Sequence, residues 1–359
     1  MIYAVIMAGG KGERFWPKSR LKTPKQLLAI AGDKPMIRET VDRLQNLTQS
    51  DAVLIITNEA QSDEIKKILP ELPQEHIVAE PCGRNTAACI ALAAAYIDAQ
   101  DPEGIMVVLP ADHVIHNKKA FAQVISDMAL LAQSENALFT IGIDPDYPAT
   151  GYGYIKSGHD IKANTQTSFY MVEQFTEKPD FATASKFIES GRYFWNSGIF
   201  VWKTSVFLSA VRQYMPDLYN GYEKIRSALG TKDLQDVINS VYPTLPNISI
   251  DYGIMEKADR VIMAKSSFDW DDVGSWDAVA KHFKPDSDGN VVRGKFVGVD
   301  TKDCIVYSDD KLVAGVGIEN VIVVVTDDAI LICDKNRAQD VKAIVQKLSD
   351  EPEGKEYLI

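Results

Sequence analysis

A chain of 359 residues with 46% hydrophobic and 25% charged residues has the composition of an ordinary globular protein and the length for two domains. The formal net charge of -12 argues against a nucleic-acid partner. No apolar stretch reaches the roughly 18 residues of a membrane span, and no secretory signal pattern opens the chain, so no membrane association is expected. The four cysteines form no C-x-x-C pair, which favours reduced thiols and a cytoplasmic location.

Strand and helix patterns alternate through the first half of the chain. This alternation predicts an α/β fold with a doubly wound, mainly parallel sheet. Ligands of such sheets bind at the carboxyl ends of the strands. The predicted strands lie near 2–7, 52–57, 104–109 and 137–142, and the predicted helices lie near 36–46, 60–69, 86–99 and 119–132.

The loop after the first strand predicts a phosphate site. Gly9, Gly10 and Gly12 let the backbone approach a ligand closely, and their N–H groups can face an anion. Neither the Walker loop nor the dinucleotide fingerprint fits, because no G-K-[ST] follows and Phe15 replaces the last small residue. Six cations against one acid occupy positions 11–25, namely Lys11, Arg14, Lys18, Arg20, Lys22 and Lys25 against Glu13.

The second half of the chain contains two segments with different residue patterns. Residues 150–285 are less regular, with a strand predicted near 192–202 and helical patterns near 204–240, and this segment is interpreted as an insertion that supplies a second substrate pocket. Residues 290–334 carry short Val- and Ile-rich runs that predict a compact β unit, and 335–348 predict a closing helix. We therefore expect domains at 1–285 and 286–359. Exposed Val-rich strands favour a homodimer contact through the β unit.

Seven motifs in order resemble those of sugar-nucleotide pyrophosphorylases, which are nucleotidyltransferases acting on sugar 1-phosphates. The continuations Phe15–Ser19 and Pro24–Gln26 resemble the mannose-1-phosphate guanylyltransferase branch. The motifs are Gly9–Pro17 with Pro24-Lys25, Glu80–Thr86, Leu109–His113, Gly151–Ile155, Glu177–Pro179, Asn196–Phe200 and Trp270–Trp276.

The resemblance implies a Rossmann-like sheet followed by a partial left-handed β-helix. It also implies that the chain forms GDP-mannose and pyrophosphate from GTP and mannose 1-phosphate with Mg²⁺. Two alternatives stay open, namely the same reaction with another nucleotide or sugar 1-phosphate, and a non-catalytic sugar-nucleotide sensor. An NAD-dependent oxidoreductase is disfavoured by Phe15. Because the chain ends at Ile359, no appended isomerase domain is expected.

Charged residues of the motifs are candidates for the chemistry. Arg14 suits a bidentate grip on phosphate, and Lys25 suits a point charge on the leaving pyrophosphate. By resemblance Asp112 and Asp272 are the metal ligands, with Asp271 as the alternative to Asp272. Asp112 is also expected at the nucleotide.

The resemblance also implies two sets of binding residues. The nucleotide set comprises Ala8, Gly9, Gly10, Gly12, Glu13, Glu80, Arg84, Asn85, Thr86 and Asp112, and the sugar-phosphate set comprises Gly153, Glu177, Lys178, Asn196 and Asp251. Four aromatic residues are candidates either for stacking on a ligand or for the core, namely Tyr152, Tyr154, Trp195 and Trp276.

Overall fold

The computed structural model describes residues 1–359 and contains two β-sheets of nine and four strands. The strands of the larger sheet are β1 Ile2–Met7, β2 Val53–Asn58, β3 Ile77–Glu80, β4 Ile105–Pro110, β5 Leu138–Ile143, β6 Gly153–Ile161, β7 Phe169–Glu177, β8 Tyr193–Lys203 and β9 Val261–Lys265. Those of the smaller sheet are β10 Val291–Val299, β11 Ile305–Val316, β12 Val321–Val325 and β13 Ile330–Asp334.

Most helices occupy the stretches that the sequence predicts, with shifts of a few residues at their ends, but the helices at Phe181–Glu189 and Trp276–Ala280 are not predicted. They are α1 Met36–Asp42, α2 Glu59–Ile68, α3 Asn85–Gln100, α4 Lys118–Ser134, α5 Phe181–Glu189, α6 Thr204–Tyr214, α7 Pro216–Ala228, α8 Leu234–Val241, α9 Trp276–Ala280 and α10 Val341–Asp350. The stretch predicted as helical over 204–240 is divided into α6, α7 and α8. Pro216 begins α7, and Gly230 with φ +78° separates it from α8.

The larger sheet has the strand order β3-β2-β1-β4-β8-β5-β9-β7-β6. Its first four strands are mutually parallel, whereas most later neighbours are antiparallel. The predicted α/β class is confirmed, but the parallel arrangement covers only the first half. β6 and β7 are joined by a short connection, which permits only an antiparallel pair, because a parallel pair needs a long crossover.

Alternating side chains of β1 separate two cores. Tyr3 and Val5 pack in the core that contains the Ala-rich α3, together with α6 and α7. Ala4 and Ile6 pack in the core that contains α2 and α4 on the other face. This period of two follows from strand geometry. Because both faces of the first strands are covered, their carboxyl ends are the open places where polar loops can gather.

A third core joins the glycine-rich loop to the smaller sheet. Trp276 is fully buried, and its ring centroid lies 5.4 Å from that of Phe15 and 5.4 Å from that of Tyr307 on β11. The indole nitrogen of Trp276 donates to the carbonyl of Trp16 at 3.2 Å. The smaller sheet therefore packs directly on the loop that carries the predicted phosphate site. The division of the chain near residue 286 stays a prediction.

Two of the loop cations bind this β unit. Lys18 forms an ion pair with Asp309, and the Nη2 of Arg20 lies 2.9 Å from Asp328 Oδ1. Both carboxylates belong to the smaller sheet and its turns. These two cations therefore brace the loop against the β unit.

None of the helices combines the length and the apolar character that crossing a bilayer requires.

Replacing Trp276 by alanine tests the importance of the third core. We expect Trp276→Ala to lower the free energy of unfolding by about 3–5 kcal/mol, because a large buried ring is lost and a cavity remains. Urea unfolding followed by circular dichroism measures this change. The control is Phe181→Ala, because Phe181 is 65% exposed. A loss below about 1 kcal/mol for Trp276→Ala would show that the core contributes little.

Candidate active site

A cavity of about 380 Å³ opens at the carboxyl ends of β1 and β4. Four segments that are far apart in sequence line it: the loop after β1, the turn after β4, the loop before α9 and the first turn of α10. The lining residues are Lys11, Gly12, Glu13, Arg14, Phe15, Lys25, Asp112, His113, Asp272, Val273, Gly274 and Lys342. The structure thus brings the predicted catalytic residues Arg14, Lys25, Asp112 and Asp272 together.

The loop after β1 is held in one conformation by polar contacts with buried side chains. Gly12 has φ +62°, and a Cβ atom there would lie 2.7 Å from the backbone nitrogen of Lys25, so only glycine fits. The amide of Gln26 donates to the carbonyls of Ala8 and Gly10 at 2.9 and 3.0 Å. These contacts turn the loop toward the cavity.

Lys25 lies at the centre of the site and is 5% exposed. Its Nζ donates to Asp112 Oδ2 at 2.9 Å and to the backbone carbonyl of Asp272 at 2.5 Å. Burial raises the pKa of Asp112, but the charges of Lys25 and His113 and the hydrogen bond from Lys25 together hold that pKa below its usual value. Burial raises the pKa of Asp272, and Lys25 opposes the rise only in part. One ammonium group therefore balances two neighbouring acids.

Asp271 and Asp272 have different surroundings. Asp271 Oδ1 accepts from the backbone N–H of Val273 at 2.6 Å, and Asp271 Oδ2 lies 3.5 Å from His282 Nε2. Asp272 lines the cavity and accepts from the hydroxyl of Tyr152 at 2.8 Å. Asp271 thus shapes the turn, while the carboxylate of Asp272 faces the cavity.

The two carboxylates of the cavity suit a hard cation. Asp112 Oδ1 and Asp272 Oδ2 accept no hydrogen bond from the chain, so each has a free oxygen. The chain contains no group of three or more His, Cys, Asp or Glu side chains that could hold a metal ion by themselves. A cation held here would take its other ligands from phosphates and water, as Mg²⁺ does in phosphoryl-transfer sites. The residues present fit such an ion.

The predicted nucleotide residues beyond the loop gather around Glu80 at the end of β3. A Cβ atom on Gly9 would lie 3.1 Å from Glu80 Oε2, so the loop passes close to this carboxyl. The other oxygen, Glu80 Oε1, accepts from the hydroxyl of Tyr242. Burial raises the pKa of Glu80 to about 7, and the hydrogen bond from Tyr242 opposes the rise. A buried carboxyl with one free oxygen is suited to read polar edges of a ligand.

The residues that follow Glu80 fix the start of α3. Asn85 has φ 64°, and its side-chain oxygen accepts from the backbone N–H of Thr86 at 2.9 Å. Arg84 donates to the carbonyl of Pro243, and the hydroxyl of Thr86 accepts from the backbone N–H of Ile250 at 2.8 Å. This segment is thereby tied to the insertion that precedes β9.

The predicted sugar residues form a second polar cluster. Asn196 Nδ2 donates to Asp251 Oδ1 at 3.0 Å, and Lys178 Nζ lies 2.8 Å from Glu177 Oε1. A Cβ atom on Gly153 would lie 2.5 Å from Glu177 Oε2, so a side chain at this position would displace the Glu177 carboxyl. Burial and the nearby Glu177 raise the pKa of Asp251 to about 6. Two carboxyl groups and an amide provide acceptors and donors for hydroxyl groups.

Tyr152 connects the two clusters. Its hydroxyl holds Asp272, and its carbonyl accepts from the backbone N–H of Lys178 at 3.2 Å. The other three aromatic candidates, Tyr154, Trp195 and Trp276, are at most 5% exposed and belong to the core. These three side chains are therefore not placed to stack on a ligand.

Sequence reasoning missed two features of the site. Lys342 lies on α10, where a single lysine in an amphipathic helix gives no signal of a catalytic cavity. The hydroxyl of Tyr152 was considered only for stacking, although it holds Asp272 across 120 residues of sequence. Such long-range contacts cannot be read from spacing.

Two family models together match most of the chain. A family model described as nucleotidyl transferase matches residues 3–288, and a model described as MannoseP isomerase/GMP-like beta-helix domain matches residues 294–348. The chain is 38% identical to a mannose-1-phosphate guanylyltransferase of Escherichia coli K12, over 97% of this chain and 73% of the relative. It is also 38% identical to a mannose-1-phosphate guanylyltransferase of Klebsiella pneumoniae, over 97% of this chain and 74% of the relative.

A solved structure also matches nearly the whole chain. It is described as a mannose-1-phosphate geranyltransferase from Thermus thermophilus and matches with a TM-score of 0.87 at 34% identity, covering 97% of this chain and 99% of that chain. The fold and the site thus define a nucleotidyl transferase, in which the smaller sheet is the predicted β-helix unit. Within that class the chain belongs to the mannose-1-phosphate guanylyltransferase family. Nucleotidyl transferases of this kind use a divalent metal ion.

The raised pKa of Glu80 predicts how stability depends on pH. The folded protein holds a proton on Glu80 up to about pH 7, whereas the unfolded chain releases it near its ordinary value of 4.5. The contribution of Glu80 to stability therefore falls as pH rises through this window. Glu80→Gln removes this pH-dependent contribution. The difference in unfolding free energy between the variant and the parent should therefore shift in favour of the variant as pH rises from about 5 to about 8.

Urea unfolding of both proteins across this range measures the difference. The exposed Glu75→Gln serves as the control and should show no such trend. A difference between Glu80→Gln and the parent that stays constant with pH would contradict the assignment.

Proposed function

We propose that this protein forms GDP-mannose and pyrophosphate from GTP and mannose 1-phosphate. The observation that carries the proposal is the single cavity in which Arg14, Lys25 and Lys342 meet the carboxylates of Asp112 and Asp272. Cations suit a triphosphate, and the adjoining cluster around Glu177 and Asp251 suits a hydroxyl-rich second substrate. The relatives named above carry the same activity in their names.

The proposed reaction needs positioning more than acid–base chemistry. A phosphate oxygen of the sugar 1-phosphate attacks the α-phosphorus of GTP, and the bond from that phosphorus to the pyrophosphate oxygen breaks on the opposite side. The nucleophile is already an anion, so no base has to remove a proton. Arg14 and Lys25 bind the triphosphate and stabilise the negative charge that develops on the leaving pyrophosphate. Gly9, Gly10 and Gly12 place backbone N–H groups beside the phosphates.

We assign Mg²⁺ as the metal ion and Asp112 and Asp272 as its protein ligands. Asp112 and Asp272 would hold the ion, which when bound would neutralise phosphate charge. Tyr152 holds the carboxylate of Asp272, and Lys25 holds that of Asp112, so both ligands are oriented before the substrates arrive. This preorganisation lowers the cost of assembling the charged site.

The remaining motif residues divide between the two substrates. Glu80 reads the base through its free oxygen, while Arg84, Asn85 and Thr86 shape the pocket around it. Ala8 and Glu13 complete the nucleotide side of the loop. On the sugar side, Glu177, Asn196 and Asp251 contact hydroxyl groups, Lys178 contacts the phosphate, and Gly153 leaves room for the sugar.

The assembly and location are proposed from surface chemistry. Six apolar residues of the β unit are more than half exposed, namely Val297, Val299, Leu312, Val316, Ile330 and Ile332. Covering them in a homodimer would remove apolar area from water. All four cysteines are unpaired, as suits the reducing cytoplasm.

A pyrophosphate-release assay tests the proposed function. The reaction contains GTP, mannose 1-phosphate and Mg²⁺, with controls that omit each component and controls that replace GTP by ATP, CTP, UTP or dTTP. Release that requires all components and favours GTP supports the proposal. Preference for UTP or dTTP would assign another nucleotide. Sugar-nucleotide binding without release in any mixture would instead identify a sensor.

Asp272→Asn tests the metal assignment. The variant keeps the side-chain shape but loses the charge, so turnover should fall by about two orders of magnitude or more while the fold stays intact. Steady-state pyrophosphate release measures turnover, and circular dichroism checks the fold. Asp63→Asn is the control because the Asp63 side chain is 92% exposed. Turnover of Asp272→Asn within about twofold of the parent would rule out this ligand.

Lys342→Ala tests whether the β-helix unit and its helix contribute to catalysis. Lys342 lies in the first turn of α10, lines the cavity and has no carboxylate partner within 4.0 Å. Loss of one phosphate contact should lower kcat/KM for GTP by about tenfold to a hundredfold, while KM for mannose 1-phosphate changes little.

The matched control for this test is Lys347→Ala, an exposed lysine further along the same helix. Equal kinetics of Lys342→Ala and Lys347→Ala would show that Lys342 does not contact the nucleotide.

A further inference from the structure

A second cavity, of about 190 Å³, lies behind the turn that carries Asp112. It is bounded by α1 with the residues before it, and by residues 113–118. His113 lines both this cavity and the catalytic one. The space is several times the roughly 30 Å³ that one water molecule occupies in the liquid, so a small solute fits.

Arg43 is an unpaired buried charge in the wall of this cavity. The residue is 5% exposed, and no carboxylate oxygen lies within 4.0 Å of its guanidinium. Its Nη2 donates to the carbonyl of His113 at 2.9 Å and to Thr40 Oγ1 at 3.3 Å. Nε and Nη1 have no acceptor in the protein. Burial lowers the pKa of Arg43 to about 10, and the more distant carboxylates of Glu39 and Asp269 oppose this fall only in part.

Further cations lie at the same cavity. Lys118 Nζ lies 2.9 Å from Glu39 Oε2, and Lys34 Nζ lies 2.7 Å from Asp42 Oδ2. Each lysine is therefore neutralised, whereas the charge of Arg43 is not. The side chains that line the cavity include Lys34, Lys118 and Arg43 against the single acid Glu39. The net charge of this lining is positive, which suits an anion.

We propose that this cavity binds a free oxyanion of the phosphate type. The free Nη1 of Arg43, which has no acceptor in the protein, donates to one oxygen of a tetrahedral anion. Lys118 binds a second oxygen in place of Glu39. The site is separate from the catalytic cavity but connected to it, because Arg43 also holds the carbonyl of His113, the residue after Asp112. The proposal does not depend on which nucleotide or sugar the catalytic site uses.

The bound anion links the two cavities. An anion that changes the hold of Arg43 on His113 changes the position of the neighbouring Asp112. By reciprocity, any ligand that shifts Asp112 changes the affinity for the anion. The site therefore lets the concentration of a free oxyanion influence the catalytic carboxylate.

Calorimetric titration with inorganic phosphate tests the site, with ionic strength held constant by chloride. Lys25→Met removes a cation of the catalytic cavity and should leave one binding event intact. Lys118→Met should weaken this event by about tenfold, the effect of one charge-assisted contact. Lys119→Met is the matched control, because Lys119 is the adjacent exposed lysine and does not line the cavity.

Glu39→Gln should change the affinity for phosphate in the opposite direction. It removes the only lining carboxylate and releases Lys118, so phosphate should bind about tenfold more tightly. A purely structural role of Arg43 does not predict this gain. Equal affinities of Lys118→Met, Lys119→Met and Glu39→Gln would overturn the proposal, as would loss of all phosphate binding in Lys25→Met.

Crystals soaked with selenate test the position of the bound anion directly. An anomalous peak within hydrogen-bond distance of Arg43 Nη1 is expected. Selenate only in the catalytic cavity would overturn the proposal. This arm needs no substitution of Arg43, whose contact with His113 makes it a risk to folding.

Discussion

The bridge made by Lys25 is the interaction on which the rest of the site depends. Its ammonium group joins Asp112, 87 residues away, to the carbonyl of Asp272, 247 residues away. Without it, two half-buried carboxylates would face a polyanionic substrate with no compensating charge. With it, the acids are held apart from each other, and each keeps a free oxygen for a cation. Position 12 is a glycine beside this lysine, since a Cβ atom there would lie 2.7 Å from the backbone nitrogen of Lys25.

The smaller sheet supports the active site, and helix α10, which follows the sheet, lines the cavity. Lys18 and Arg20 pair with carboxylates of the β unit, and Trp276 packs between Phe15 and Tyr307. Lys342 then brings a cation from α10 into the cavity itself. A loop rich in glycine loses much conformational entropy when it is ordered. Docking the loop against a rigid β unit supplies the contacts that offset this cost.

The sequence was informative where local chemistry decides the structure. The glycine-rich loop and the strands at 2–7 and 104–109 identified the sheet and its ligand-binding edge, because periodicity and turn chemistry are local. The antiparallel half of the sheet was not predicted, since pairing partners depend on long-range packing. β3 was missed because its four residues are too few to show a pattern.

The site could be predicted only in part from the sequence, because it also depends on long-range packing. The sequence motifs include four residues that the structure places in one cavity, namely Arg14, Lys25, Asp112 and Asp272. Lys18 and Arg20 carry the same charge in the same loop, yet they turn to the β unit. Charge alone cannot distinguish a phosphate contact from a structural ion pair. The hydrogen bond from Tyr152 to Asp272 and the position of Lys342 at the cavity exist only in the folded chain.

The stereochemical course at the α-phosphorus tests the central claim, which is that positioned charges promote a single in-line displacement. The substrate is GTP with sulfur in place of one α-oxygen, as one stereoisomer, together with mannose 1-phosphate. The configuration of the product is read by phosphorus NMR. A single in-line attack predicts inversion of configuration at the α-phosphorus. Retention would require two displacements through a covalent enzyme intermediate, and it would contradict an active site built only from Arg14, Lys25, Asp112 and Asp272.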